Sequence, residues 1–322
     1  MIGSVADKNV DLLEGLIAQR PRDIARAITL IENDSDDGRT LLAELIAQSS
    51  GAARAAVVGL TGAPGVGKST TTSALVHEFR QRGLRVAVLA IDPSSPFSGG
   101  ALLGDRIRMQ EHSADPDVYI RSMASRGHLG GLAAATGRVL RVLDAAGFNL
   151  VLIETVGVGQ SEVEIAATAD TTVVLIAPGM GDAVQAAKAG LLEIGDVYAV
   201  NKADRDGADS AERELRSMIG LGVRDAADWT PLVVRTVAST SAGIPDLVDA
   251  IDAHQKWLDG TGALAHRRLT RARAEIVHIA LDRLEREMNQ GIRGQALERL
   301  AAQVAQGEID PHQAVERLLS DS

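Results

Sequence analysis

The sequence predicts a doubly wound α/β fold: a mostly parallel sheet with helices on both faces and helical extensions at both ends. Three observations predict it. Between residue 55 and about residue 258, short apolar runs alternate with longer amphipathic stretches, the pattern of strands buried on both faces and joined by helical crossovers. The segments with recognisable chemistry follow those runs directly, where ligands bind in open α/β sheets. The leading and trailing segments carry helical periodicity and no strand.

Residues 10–48 read as helices. Leu12, Leu13, Leu16 and Ile17 form one apolar stripe, Ile24, Ile28 and Ile31 a second, and Leu41, Leu42, Leu45 and Ile46 a third. A turn at Asn33-Asp-Ser-Asp-Asp-Gly38 separates the last two. Strands are expected at Ala55–Leu60, Arg85–Ile91, Val118–Arg121, Leu150–Ile153, Thr172–Ala177, Val197–Val200 and Leu232–Val237. Helices are expected at 69–82, 130–146, 182–194 and 244–258. Asp-Gly-Thr-Gly-Ala after Leu258 reads as a linker. Residues 265–322 are then helical. Val277, Leu281, Leu284 and Met288 fall at 4-3-4 spacing, a narrow coiled-coil-like seam that suggests a homodimer. Asp310-Pro311 is an N-cap followed by proline at the first helical position. The expected organisation is a helical extension over 1–50, a nucleotide-binding domain over 51–258, and a helical arm over 259–322.

Composition excludes several classes. The 322 residues contain no cysteine, so disulfides, thiolate metal sites and cysteine nucleophiles are absent. The net charge of −10 comes without a basic stripe, which argues against a nucleic-acid partner. No basic, apolar leader opens the chain and no apolar run reaches membrane-spanning length. A soluble cytoplasmic protein is expected. Aromatics make up 2% of the chain and hydrophobic residues 45%, so the core must be aliphatic.

Gly62-Ala63-Pro64-Gly65-Val66-Gly67-Lys68-Ser69-Thr70 fits the phosphate-binding loop G-x-x-x-x-G-K-[ST]. It stands between a predicted strand and a predicted helix, the context such a loop needs. Glycines let the backbone wrap the phosphates, and the amides and helix N-terminus point at the anion. Lys68 would reach the β- and γ-phosphates, and Ser69 would ligate Mg²⁺. Lysine is scarce: Lys68 is one of only five, against 28 arginines.

Asn201-Lys202-Ala203-Asp204 follows the strand Val197–Val200. The Asp204 carboxylate can accept from guanine N1–H and the 2-amine together, whereas adenine would leave it unpaired. The Asn201 amide is expected to reach N7 and O6, with the Lys202 stem against the base. Ser239, Thr240 and Ser241, after the next strand, could supply backbone contacts to O6. Asp92, at the end of another strand, can hold Mg²⁺ or its water shell. Asp105 is a second acidic candidate, and Arg106 or Arg108 could offset charge on the transferred phosphoryl group. Glu154-Thr-Val-Gly157 occupies the place of an Asp-x-x-Gly, where the carboxylate orients Mg²⁺ and its water and the glycine amide senses the γ-phosphate. No glutamine follows Gly157 directly, Gln160 being nearest, so slow intrinsic hydrolysis, accelerated by a partner, is expected. Asp182 and Lys188 lie in a Gly-rich entry to a helix, which can change shape with nucleotide state.

Together these stretches resemble the MeaB/ArgK-type P-loop GTPases that accompany adenosylcobalamin-dependent methylmalonyl-CoA mutase. The matches are TGAPGVGKST, AIDPSSPFSGGALLGDRIRM, IETVGVGQSE, the PGMGD segment through Lys188, NKAD, and RDIARAITLIE before them. The resemblance covers about residues 20–258. It implies a chaperone GTPase that protects the mutase and couples GTP hydrolysis to loading and exchange of its cofactor. It also implies Mg²⁺ at Ser69, Asp92, Asp105 and Glu154, a mutase-responsive switch around Asp182 and Lys188, and a C-terminal dimerisation arm. The mutase could be that for methylmalonyl-CoA or a related acyl-CoA.

An Asp-x-His-x-x-Gly cobalamin signature is absent: His128 precedes Gly131 but has Arg126 where aspartate is needed. Cobalamin is therefore expected on the partner. Three alternatives compete. A nickel-enzyme metallochaperone GTPase would need metal ligands, yet the seven histidines are scattered. A kinase of transport proteins would use ATP, against which NKAD argues. A nucleotide-binding scaffold without significant catalysis would bind GTP but not turn it over.

Overall fold

A computed structural model describes residues 5–33, 35–48, 54–93, 110–112, 114–125, 131–155, 161–179, 190–221 and 228–320. Seven strands form one sheet: β1 (Ala56–Gly62), β2 (Val86–Pro93), β3 (Val118–Ser125), β4 (Leu150–Thr155), β5 (Thr171–Ile176), β6 (Val197–Asn201) and β7 (Leu232–Thr236). Their order is β3-β2-β4-β1-β5-β6-β7, and every pairing is parallel. All seven strands lie where apolar runs are expected, within two residues at each end except at the C-terminal end of β3, which extends four residues further.

The first three helices are α1 (Val5–Ile17), α2 (Pro21–Glu32) and α3 (Asp36–Gln48). Leu12, Leu16, Ile24, Ile28, Ile31, Leu41 and Leu45 are buried in the same core as Leu89, Ile91, Val151 and Ile153 of the sheet. These helices thus cover one face of β2 and β4, together with α5 (Gly131–Ala145). Arg121 on β3 ties them down by donating to Glu32 at 2.6 Å. The opposite face packs against α4 (Lys68–Gln81) and α9 (Ile244–Thr261) through Leu75, Val76, Phe79, Leu247, Val248 and Ile251. Between these lie α6 (Ser161–Thr168), α7 (Leu191–Ile194) and α8 (Ala208–Leu221). Of the helix expected over 182–194, only α7 falls within the described residues.

The expected linker after Leu258 is not a linker. Helix α9 continues to Thr261, Gly262 alone breaks it at φ 74°, and α10 (Ala263–Asn289) begins at once. Gly260 sits exposed inside the helix, where nothing crowds it. Gly262 is the left-handed C-terminal residue that helices favour. Of the two glycines, Gly262 alone therefore marks the break between two consecutive helices. Helices α11 (Gly291–Ala305) and α12 (Pro311–Ser320) follow, and the Asp310 carboxylate caps α12 by accepting from His312 N at 2.8 Å and Gln313 N at 3.1 Å. The chain groups into two compact units, Met1–Arg271 and Ala272–Ser322.

At the amino ends of the central strands, the first turns of α10 are clamped by ion pairs. Arg267 pairs with Asp196, and Arg268 and Arg271 with Asp170. Burial pushes the Asp170 carboxyl up, but the Arg268 hydrogen bond and the charges of Arg271 and Arg268 outweigh it and hold it below the usual range. His254 on α9 is fully buried against Trp229 and Trp257, its Nδ1 2.9 Å from Thr171 Oγ1. Burial lowers its pKa to about 4, reinforced by Arg267 and opposed by Asp196 and Asp170. Between this value and its ordinary one near 6.5 the unfolded chain binds the extra proton. Stability present above pH 6.5 is therefore lost as pH falls towards 4, by about 3 kcal/mol. A His254→Gln variant is expected to flatten that part of the pH dependence in denaturant unfolding. An unchanged slope between pH 6.5 and 4 would contradict the assignment.

Candidate functional site

The phosphate loop joins β1 to α4, in the centre of the sheet. Its backbone requires glycine at two places above all. Gly62 has φ 143°, and a Cβ there would lie 2.3 Å from the Leu175 carbonyl oxygen. Gly67 has φ 98°, and a Cβ would lie 2.5 Å from the Asn201 amide nitrogen. The loop is thus pressed between β5 and the end of β6. Lys68, 8% exposed, donates from Nζ to the Gly62 carbonyl at 2.6 Å and lies 3.4 Å from that of Ala63. Its ammonium already stands inside the loop, curled over the space a phosphate would fill.

A cavity of about 540 Å³ opens beside it, lined by Pro64, Gly65, Gly67, Lys68, Ser69, Thr70, Ser73, Glu111, Glu154 and Thr155. Glu154 sits on β4 opposite Leu60 of β1, which brings the acid beneath the loop. Its carboxylate, 1% exposed, accepts from Ser69 Oγ at 2.5 Å and from Thr72 Oγ1 at 2.8 Å. Glutamate is long enough to span from β4 to α4 and engage two hydroxyls there. Asp92 is at the carboxyl end of β2, one residue past Ile91, whose register partner is Thr155. The backbone therefore brings Asp92 to the same strand ends as Glu154. A hydroxyl and a buried carboxylate are hard oxygen donors facing an open cavity, which suits Mg²⁺.

The base-side loops meet the phosphate loop at Asn201. The Asn201 side chain is anchored among the loops around it. It is 2% exposed, donates from Nδ2 to the Val66 carbonyl at 2.8 Å, and accepts at Oδ1 from Ala238 N at 3.1 Å and Thr236 Oγ1 at 3.2 Å. Asn201 is a clasp: it fixes the phosphate loop, β6 and the turn after β7 to one another. Lys202 has φ 57° and donates to the Gly65 carbonyl at 2.6 Å, so its stem lies along the phosphate loop. Asp204 is exposed two residues on, free of the packing that buries Asn201. Ser239 and Thr240 belong to a single 3₁₀ turn, Ala238–Thr240, and Ser241 follows at φ 59°. All three are exposed.

Asp105, Arg106, Arg108, Gly157, Gln160, Asp182 and Lys188 lie outside the described residues. Four residues at the site escaped the sequence reading. Ser73 Oγ donates to Glu111, while His112 Nε2 lies 2.8 Å from that hydroxyl. Thr72 holds Glu154. One signal was present: Ser69, Thr72 and Ser73 stand at i, i+3 and i+4 on the helix and share a face. Glu111 and His112 arrive from a short 3₁₀ turn before β3 with no motif to mark them.

The sequence model of the family described as methylmalonyl Co-A mutase-associated GTPase MeaB matches residues 24–292. The chain is 45% identical over 313 residues to a Pyrococcus abyssi protein named as a GTPase, covering 97% of this chain and 96% of that one. It is 36% identical to the Escherichia coli GTPase ArgK over 245 residues, covering 75% and 74%. It is also 36% identical over 273 residues to the mouse protein named methylmalonic aciduria type A homolog, mitochondrial, covering 80% and 66%. The crystal structure of a LAO/AO transport system kinase shares the fold with a TM-score of 0.73 at 24% identity, over 99% of this chain and 98% of that one.

Proposed function

The chain belongs to the MeaB family of GTPases, and from that premise we propose that it is a chaperone of an adenosylcobalamin-dependent methylmalonyl-CoA mutase or a related acyl-CoA mutase. In this reading GTP hydrolysis gates loading and exchange of the mutase's cofactor, and the cobalamin stays on the mutase. The observation that carries it is the match of a mutase-associated family over 24–292, and it is supported by a phosphate loop whose lysine bonds the loop backbone and whose serine bonds a buried carboxylate.

The phosphates enter the cavity at Gly62–Thr70, and Lys68 exchanges its carbonyl partners for phosphate oxygens. Ser69, Asp92, Asp105 and Glu154 would hold Mg²⁺, which supplies charge neutralisation for the β- and γ-phosphates. Asp204 reads guanine, with Lys202 beside the ring and the Ser239–Ser241 turn at O6. Asn201 acts one step back, by holding the base loops against the phosphate loop. Arg108 and Gly157 act at the transferred phosphoryl group, and the segment bearing Asp182 and Lys188 answers to the mutase. The protein works in the cytoplasm.

Loading tests this directly. With a purified mutase, GTP is expected to permit transfer of adenosylcobalamin to the apo-mutase under conditions where a non-hydrolysable analogue arrests it. Equal loading in both conditions would sink the proposal. The kinase reading predicts phosphate transfer from ATP to a protein acceptor. The absence of cysteine disfavours the nickel-metallochaperone reading.

We propose further that α10 is a dimer seam. Val277, Leu281 and Leu284 are 50%, 60% and 51% exposed on one helix, an apolar stripe of the kind that pairs. Leu281→Glu is expected to halve the particle mass in light scattering. A mass unchanged at two chains would contradict the seam, and wild-type protein already at one chain would contradict the dimer.

A further inference from the structure

We infer that Thr72 is a positioning residue for the Glu154 carboxylate, fixing which of its two oxygens faces the phosphate cavity. Glu154 is the penultimate residue of a buried strand, and a carboxylate that deep needs hydrogen-bond donors around it. Two donors come from one face of α4. Ser69 Oγ is 2.5 Å from Oε1, and Thr72 Oγ1 is 2.8 Å from Oε2.

The two hydroxyls are placed for different tasks. Ser69 lines the cavity with Glu154 and can turn towards a ligand. Thr72 is 0% exposed and lies behind the carboxylate, away from the cavity wall. Its Oγ1 is also 3.0 Å from the Lys68 carbonyl of its own helix. This backbone contact selects the side-chain rotamer of a β-branched residue. The single hydroxyl proton has two acceptors within reach, and the ionised carboxylate is the stronger.

With Oε2 held, the carboxylate plane is set, and Oε1 remains presented beside Ser69 whichever way that hydroxyl turns. Glutamate has one more rotatable bond than aspartate. A second hold offsets the freedom that the longer side chain brings. The orientation of a carboxylate that serves a hydrated divalent cation, directly or through water, is the kind of property that such supporting hydroxyls set. The inference rests on the reading that Mg²⁺ accompanies the nucleotide in this cavity.

The experiment uses the full-length chain and a fluorescent GDP analogue, with binding measured across a Mg²⁺ titration and in EDTA. For Thr72→Val, the ratio of affinity with Mg²⁺ to affinity without it is expected to fall roughly tenfold, with the Mg²⁺ midpoint rising by a similar factor. Thr72→Ser is expected to restore both. A structural role alone would weaken binding in both conditions alike, so an unchanged ratio overturns the assignment, as does a Thr72→Ser protein no better than Thr72→Val. If Thr72→Val does not fold, Thr72→Ala is compared with Thr72→Ser on the same two readouts and the same outcomes decide. A wild-type chain whose affinity ignores Mg²⁺ overturns the Mg²⁺ reading of the cavity and this inference with it. A Mg²⁺-dependent wild type with an unshifted variant overturns the assignment of Thr72 alone.

Discussion

Replacing Lys68 by methionine is expected to weaken GTP binding by about 30-fold to several thousand-fold and to abolish hydrolysis. The nearly buried ammonium donates to the Gly62 carbonyl and lies within reach of that of Ala63, and nucleotide would replace these neutral acceptors with ionised phosphate oxygens. Hydrogen bonds to charged acceptors are roughly twice as strong as neutral ones. Removing one member of a buried, hydrogen-bonded charge pair costs about 2–5 kcal/mol, and each 1.4 kcal/mol is tenfold. Methionine keeps the length and apolar bulk of the stem, so the loss isolates the charge. Lys68→Arg is expected to rescue little, because a planar fork cannot curl into a loop shaped around a point charge. Equilibrium titration with a fluorescent GTP analogue reads the effect. Affinity within fivefold of wild type would remove Lys68 from the site.

The second large effect is expected at Asp204. Asp204→Asn should cost about 10²–10⁴-fold in GTP affinity, since an amide cannot accept from guanine N1–H and the 2-amine together as the carboxylate proposed to read the base would. The replacement amide offers one donor and one acceptor. Xanthine has a 2-oxo group where guanine has an amine, so it matches that amide, and XTP should bind the variant better than it binds wild type. The exposure of Asp204 makes the experiment clean: no packing is disturbed, in contrast to Asn201, whose replacement would release the Val66 carbonyl and the Ala238 amide together. Competition between GTP, XTP and ATP on both proteins gives the answer. Unaltered GTP preference would show that Asp204 does not read the base.

The fold was legible because the five inner strands, β2, β4, β1, β5 and β6, are buried on both faces along their described side chains and so announce themselves as apolar runs, and because the phosphate loop marks the centre of the sheet. Gly62 and Gly67 were legible from the motif, and the structure adds a constraint the motif does not state: each meets a neighbouring strand end at a distance no side chain would permit. The clasp that Asn201 makes among the loops was not legible. A motif places the residue at a strand end, but which of its neighbours the amide chooses depends on the packing of three loops that are distant in sequence. The helix break at Gly262 was misread as a linker because glycine composition alone does not distinguish a flexible segment from a left-handed helix terminus. Thr72 sits among three consecutive threonines. Only the register between β4 and β1, together with the reach of Glu154, singles it out.

The central claim is that this GTPase turns over in the service of a mutase. The most direct measurement is steady-state GTP hydrolysis by the full-length protein, alone and with a purified adenosylcobalamin-dependent methylmalonyl-CoA mutase. Turnover alone is predicted to fall well below about 10 per second, the median for ordinary enzymes, and to rise at least tenfold with the mutase, while ATP supports neither rate. A rate that ignores the mutase, or that ATP sustains equally, would contradict the account.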